Sequence, residues 1–432
     1  MNKKPNIVLF ITHDQGQYAG CYDSEVPNSL NTPNIDKIAQ EGVQFTNYFC
    51  TAPQCSPSRS SIKTSLFPHQ NGLMGLVNLG WSMPEDNKTL PMYLKENGYT
   101  THLLGLQHEV HDANTLGYDT ISKRGPEFKY SRARMEKKYL KFLSEHKDDE
   151  KPFFVNIGTI EVHRPYQAWA EPVDTDRVKV PPYLPDMDEI REDLAGFYGN
   201  VEIVDETIGK IWDHMKDLGI LENTIFIYTT DHGIPYPRAK CTLYDPGLKT
   251  ILLMHYPGAE YLSGGKVVKS MLSNIDLLPS LIDLVGGKIR EKIEGKSFIP
   301  ILKGETEEIH EKIYAEKTYH EIYDPMRGIR THKFKYIKNF EKLDSLYQIP
   351  KDIMMDPSGK VMKEKSQEPR AMEELYDLEK DPNEMNNLLE SADYSDILYE
   401  LRTELNDWMI RTNDPLLKGK VEDERHEMKG HY

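Results

Sequence analysis

The sequence predicts an α/β protein: a large, mostly parallel sheet flanked by helices on both faces, with a smaller C-terminal α+β unit built on an antiparallel sheet. Three observations predict it. Wholly apolar runs of strand length alternate with stretches of helical periodicity over roughly the first 300 residues, as in sheets covered on both sides by helices. Several of these runs end in a polar cluster. From about Ile313 the runs become short, alternating and basic, the pattern of an antiparallel sheet with one wet face.

In chain order, residues 6–12 form a continuous apolar run ending in His13-Asp14-Gln15-Gly16, which reads as a strand buried on both faces. Thr32-Pro33 opens a helix with Pro at its first position, carried by Ile35, Ile38 and Ala39 and stopped at Gly42. Residues 89–98 repeat that pattern, and 99–106 follow as a strand. Residues 152–158 make a third strand. Val201, Val204, Ile208, Ile211 and Met215 share one helical face, which Gly219 stops. Residues 224–229 make a fourth strand, leading to Asp231-His232-Gly233. In the last third, 312–316, 326–330 and 333–338 read as antiparallel strands, and 397–408 as an amphipathic helix. The charged stretch 364–374 reads as an exposed loop. The expected division is a main domain over 1–311 and an α+β subdomain over 312–432 that contributes to a substrate pocket.

Composition narrows the function. The formal charge of -16 argues against a nucleic-acid binder, which needs a basic face to neutralise phosphates. It also denies an anionic substrate any long-range steering, so an anion site has to be a local cluster of cations around a small, recessed group. The four cysteines, Cys21, Cys50, Cys55 and Cys241, are too few and too scattered for a disulfide framework, and no pair has CxxC spacing. The run Ile7 to Ile11 is too short for a signal sequence or a membrane span. The expectation is a cytoplasmic protein with no membrane partner, or a periplasmic one if a leader has been removed. The oligomeric state is not readable.

In a parallel α/β sheet, ligands bind beyond the carboxyl ends of the strands. Four polar clusters fall there: His13-Asp14, Gln107-His108, Glu161-His163 and Asp231-His232. They are expected to converge on one site. Cys55 stands where a helix would begin, and Arg59 is one turn further on. A helix amino end and a nearby cation stabilise a thiolate, so a nucleophile is one reading and a small buried hydrophobe the other.

The run Cys55-Ser56-Pro57-Ser58-Arg59, with Thr64 beyond it, resembles the signature of type I sulfatases of the alkaline phosphatase superfamily. The resemblance spans the chain. It includes Asn6 to Gly16, Asn31-Thr-Pro-Asn-Ile-Asp36, Gly42-Val-Gln-Phe45, Thr230-Asp-His-Gly233 and the segment Glu374 to Asn387. Pro68-His-Gln-Asn-Gly-Leu-Met-Gly75, Asp231 to Pro237, Asp324-Pro-Met-Arg327, Asp407-Trp408 and Asn413-Asp-Pro415 are similar to the heparan N-sulfatase (sulfamidase) members. The resemblance implies an alkaline phosphatase-like fold. It implies that a maturase oxidises Cys55 to formylglycine, whose hydrate attacks sulfate sulfur. It implies a divalent metal, calcium in the family, held by Asp14, Asp231 and His232 beside residue 55. Arg59 would hold the hydrate, His108 would act as a base beside it, His163 would face the leaving atom, and Lys240 would bind the sulfate.

Two departures from the family pattern stand out. Imidazoles replace hard oxygen donors at His13 and His232, which brings manganese or another transition metal into consideration; His13 is either a ligand or a neighbour of one. Leu106 occupies the place of a lysine, and Gln107, His69 or Lys63 would have to compensate. His320, Glu321 and Arg327, with His69, are candidates for substrate contact, against ordinary sheet-edge polarity. The expected function is hydrolysis of a sulfate ester or sulfamate on a small sulfated saccharide. The alternatives are a phosphonate or phosphate ester hydrolase using the same formylglycine, and an inactive anion-binding relative.

Overall fold

The computed structural model describes residues 4–22, 29–123 and 132–423. β1 (Asn6–Thr12) lies in the middle of the main sheet with all seven residues buried. Its side chains alternate between two cores: Ile7, Leu9 and Ile11 enter one, and Val8 and Phe10 the other. A strand that buries both faces has no place for a polar residue, which accounts for the unbroken apolar run.

The strands that follow are β2 (Val43–Phe45), β3 (Tyr48–Phe49), β4 (Thr100–Gly105), β5 (Thr120–Lys123), β6 (Phe153–Gly158), β7 (Thr224–Thr230), β8 (Leu252–His255), β9 (Lys266–Val268) and β10 (Leu272–Ser273). Eight strands form one sheet in the order β5-β4-β6-β1-β7-β8-β2-β9. From β5 to β7 all neighbours are parallel. β8 runs antiparallel to both of its neighbours. Helices Leu90–Glu96 and Leu277–Leu284 pack into the first core. Helices Pro33–Glu41, Arg132–His146 and Asp188–Asp217 pack into the second. The expected architecture, a mostly parallel sheet with helices on both faces, is the one observed.

The helix Asp188–Asp217 is 30 residues long, and the sequence reading found only its second half. Its first half buries Ile190, Leu194 and Phe197 on the same side. Gly196 and Gly199 interrupt that stripe. A Cβ on Gly199 would sit 2.1 Å from the Glu171 carbonyl oxygen, so the glycine is there for close approach rather than to break the helix.

The second sheet is β11 (Lys312–Tyr319), β12 (Tyr323–Thr331), β13 (Phe334–Asn339) and β14 (Glu373–Asp377), antiparallel throughout. The helix Ser395–Arg411 covers it, and its Leu401, Leu405 and Trp408 share the apolar core that contains Ile7 and Leu9. The stretch 364–374 is only in part an exposed loop. It contains the end of the helix Pro357–Lys365, buried Ser366 and Arg370, and the start of β14. Arg370 donates to Asp324 Oδ1 at 2.7 Å, so a charge that reads as solvated is spent inside the fold. Among the described residues, no helix is long and apolar enough to cross a membrane.

Candidate active site

β4, β6, β1 and β7 are consecutive in the sheet, so the polar residues following their carboxyl ends are brought to one edge. Backbone bonds stitch the turns together. His13 N donates to Glu161 O at 3.1 Å, Val162 N to His13 O at 3.0 Å, and Gly16 N to His232 O at 3.0 Å. Asp14 N donates to Asp231 Oδ1 at 2.9 Å. Asp14 itself has φ 56, in the left-handed region that Asp tolerates better than most residues. A Cβ on Gly158 would lie 2.1 Å from Leu106 O, so only glycine lets the β4 and β6 ends close so tightly.

Cys55 is the first residue of the helix Cys55–Thr64 and is 2% exposed. Its Sγ lies 3.4 Å from His232 Nε2, 3.7 Å from Asp14 Oδ1 and 3.8 Å from His13 Nδ1. Burial, and then the Asp14 carboxylate, push the thiol well above its usual range. Unmodified Cys55 is therefore a neutral thiol, and the thiolate suggested by its helix position is disfavoured by the charges around it. Arg59, fully buried, donates from Nε to Asp231 Oδ2 at 2.8 Å and from Nη2 to Thr12 O at 3.1 Å. Its Nη1 has no partner, a buried donor that a polar group in the site would satisfy.

The donor set fits a divalent cation. His13, Asp14, Cys55, Asp231 and His232 are all buried, with ligand atoms within 4.8 Å of one another. His232 Nδ1 is 2.9 Å from Gly233 O, which can only accept, so Nδ1 carries a hydrogen. In the neutral ring, Nε2 then turns a lone pair toward Asp14 Oδ1, 2.8 Å away. Two lone pairs at that distance repel unless a proton or a cation lies between them. Burial opposes ionisation of Asp14 and Asp231, yet Lys240 and the histidines beside Asp14 hold its carboxyl well below the usual range. His13, His232 and Arg59 do the same for Asp231. Burial brings His13 down to about 4 against the pull of Asp231 and Asp14, leaving a neutral imidazole.

Toward the opening, Lys240 Nζ donates to Asp14 Oδ2 and to Asp352 Oδ2, each at 2.8 Å. His163 Nδ1 bonds to Arg164 O at 2.7 Å, leaving Nε2 at 3.6 Å from Asp352 Oδ2 and 3.9 Å from Asp14 Oδ2. The ring of His108 is 6.0 Å from that of His13, and burial pushes it well below the usual imidazole range. Sequence reasoning missed Asp352. It sits on the short helix Lys351–Met354, in a stretch with no motif and no strong periodicity.

The remaining candidates divide. His320 is buried, with Nδ1 unpartnered. Burial and the nearby Lys240 and Lys317 bring it to about 3. Glu321 accepts from Lys351 N at 3.0 Å, so it anchors the helix that carries Asp352 rather than lining the centre. Arg327 is fully buried and saturated: Nε and Nη2 donate to Asp414 at 2.5 and 3.0 Å, and Nη1 to Lys317 O and Met326 O. That is a structural clamp, not a surface for substrate. His69 has Nδ1 bound to Glu316, its ring edge-on to Trp408 at 5.4 Å and its buried Nε2 without a partner. Each of the three residues expected to compensate for Leu106 already has a partner, although the buried Nε2 of His69 has none. Lys63 donates to Asn156 Oδ1 and Gln107 to Val110 O, each at 2.8 Å, and His69 is held by Glu316.

Residues 5–287 match the Sulfatase family, and residues 238–373 match the family described as N-sulphoglucosamine sulphohydrolase, C-terminal. The chain is 29% identical over 436 residues to an ulvan-active sulfatase of Formosa agariphila, covering 98% of this chain and 83% of that protein. It is 27% identical over 468 residues to N-sulphoglucosamine sulphohydrolase of Homo sapiens, covering 95% and 91%. A structure solved in complex with its substrate, D-glucosamine-2-N,6-O-disulfate, has a TM-score of 0.76 at 21% identity and covers 97% of this chain and 100% of its own. The matched family spans most of the chain and all four strand ends that build the site: the chain belongs to the sulfatase family and is a sulfuric ester hydrolase.

Proposed function

We propose that this sulfatase hydrolyses a sulfate ester or sulfamate on a small, sulfated glucosamine-type sugar. The observation that carries the reading is the buried group of His13, Asp14, Asp231 and His232 around Cys55 at a helix start. The sugar follows from the C-terminal family match, whose range includes Lys240, His320 and Asp352, and from the relative named for N-sulphoglucosamine.

In this reading a maturase converts Cys55 to formylglycine. Asp14, Asp231 and His232, with residue 55 and His13, hold one divalent metal, calcium by family resemblance, or manganese or another transition metal given the two imidazoles. When bound, the metal supplies Lewis-acid stabilisation of charge on the sulfate oxygens. Arg59 keeps its unpartnered Nη1 for the oxygen at residue 55. Lys240 neutralises sulfate oxygens, and His163 Nε2 protonates the departing oxygen or nitrogen. His108 accepts a proton beside residue 55. The part of the chain from 312 onward closes the sugar side of the pocket.

Turnover of N-sulfoglucosamine, N-acetylglucosamine 6-O-sulfate, an aryl sulfate and an aryl phosphonate tests the proposal, on protein co-produced with a maturase and analysed for metal by mass spectrometry. Cleavage of a sulfated sugar is expected. Cleavage of the phosphonate alone would replace this reading with the phosphonate hydrolase that His232 and Leu106 suggest. A Cys55 peptide that stays unmodified, in inert protein, would support an inactive anion-binding relative.

A further inference from the structure

We infer that Asp352 is the residue that selects a nitrogen leaving group, its carboxylate receiving the ammonium of the departing amine, so that the preferred substrate is an N-sulfated sugar rather than an O-sulfate ester. The inference rests on the sulfated-sugar reading above and goes further, to the bond that is cut.

Position comes first. Asp14 and His232 are fully buried, and Cys55 and Lys240 are each 2% exposed. The side chains of His163 and Asp352 are 26% and 25% exposed, so these two line the opening. A group transferred in line to residue 55 carries its leaving atom on the side of sulfur away from that residue, which is the side of the opening. His163 Nε2 and Asp352 Oδ2, 3.6 Å apart, both face that side. Asp352 is also firmly placed. The carboxylate of Glu321, from the turn between β11 and β12, accepts from Lys351 N at 3.0 Å and fixes the start of its helix.

The chemistry then separates the two bonds. For a sulfamate, the S–N bond breaks and its electron pair stays on nitrogen. The nitrogen takes one proton from His163 Nε2 and a second from solvent. The sulfuryl group passes to one hydroxyl of the residue-55 hydrate, which gives up its proton. The second hydroxyl then loses its proton, the C–O bond to sulfate breaks with its electron pair on sulfate, and water adds to the reformed aldehyde to restore the hydrate. The sum is R–NH–SO3⁻ plus H2O giving R–NH3⁺ plus SO4²⁻. For an ester, R–O–SO3⁻ plus H2O gives R–OH plus HSO4⁻, and no cation forms on the leaving atom. A carboxylate beside that atom attracts the nascent ammonium and repels the negative charge that builds on an ester oxygen.

The rival role for Asp352 is a clamp on Lys240, to which it is bonded at 2.8 Å. Asp352→Asn keeps the shape and an acceptor for Lys240 while removing the charge, and a melting curve checks that the variant is folded. Steady-state kinetics on N-sulfoglucosamine and N-acetylglucosamine 6-O-sulfate, with metal-loaded, formylglycine-bearing enzyme, give the sulfamate-to-ester ratio of kcat/KM. That ratio is expected to fall at least tenfold in Asp352→Asn. Calorimetry with glucosamine and N-acetylglucosamine supplies a readout without turnover. The amine is expected to bind at least tenfold more weakly to the variant, and the amide to change much less. A parallel loss on both substrates, or on both sugars, would overturn the inference in favour of the clamp. A wild-type enzyme that cleaves only the ester would overturn it while leaving the sulfated-sugar reading intact. Cleavage of the phosphonate alone would remove both.

Discussion

Arg59 and Arg327 are both fully buried guanidinium groups, and what separates them is the hydrogen bonding each has left to give. Arg59 retains an unpartnered Nη1 beside a cluster of acids and imidazoles, whereas every nitrogen of Arg327 is spent on Asp414 and backbone carbonyls. Removing one partner of a buried, bonded pair leaves the other charge stranded, so Arg327→Met should lower stability by about 3–5 kcal/mol. Urea unfolding would measure this, and adding Asp414→Leu should recover part of the loss. If Arg327→Met instead retained full stability and raised KM selectively, the substrate role would return. The sequence could not distinguish the two arginines by type. Arg59 is legible because it lies within a short motif, even though its partner Asp231 is 172 residues away, while nothing near Arg327 in the sequence points to its partner, 87 residues away. Asp352 was invisible for the same reason, since it acquires meaning only where it meets Lys240, 112 residues distant.

Among the elements, those buried on both faces were the ones legible in the sequence. β1, β6 and β7 are apolar or nearly apolar runs, β4 is polar in its first half, and each was readable within a residue or two. The short strands β2, β9 and β10 have two or three residues each, too few for any periodicity to register. β14 begins inside the stretch read as a charged loop, because its first two residues, Glu373 and Glu374, give no apolar signal. The C-terminal helix was legible through its stripe, but the contacts it makes across the fold were not. Trp408 stacks on Tyr314 of β11 at 4.9 Å and meets Phe67, just past the Cys55 helix, at 4.9 Å edge-on. It therefore joins the second sheet to the segment carrying the nucleophile. Trp408→Ala should cost about 3–5 kcal/mol by leaving a cavity there. A denaturation midpoint that barely moves would show that the two parts are not braced through this ring.

Across the whole molecule, buried imidazoles set the response to acid. His255, packed against Trp212 at 4.7 Å, is held near about 4 by burial and then by Lys37. His102 is held near about 4 by burial and then by His146. Both start from an ordinary value of 6.5, so between pH 6.5 and about 4 the unfolded chain binds protons that the folded chain refuses. Stability is then complete above pH 6.5 and declines as the pH falls toward 4. Melting temperatures at pH 7, 5.5 and 4.5 should fall in that order, and His255→Gln should flatten the decline. A melting temperature constant down to pH 4.5 would contradict the assignment of these rings as neutral. The burial of Cys55 carries another consequence, one of timing. A side chain only 2% exposed is out of reach of any modifying enzyme once the fold has closed. Under the proposed conversion of Cys55 to formylglycine, maturation and folding are rival processes on the newly made chain. Molecules that fold first are trapped with a native shape and a silent thiol, and later exposure to the maturase will not rescue them without unfolding.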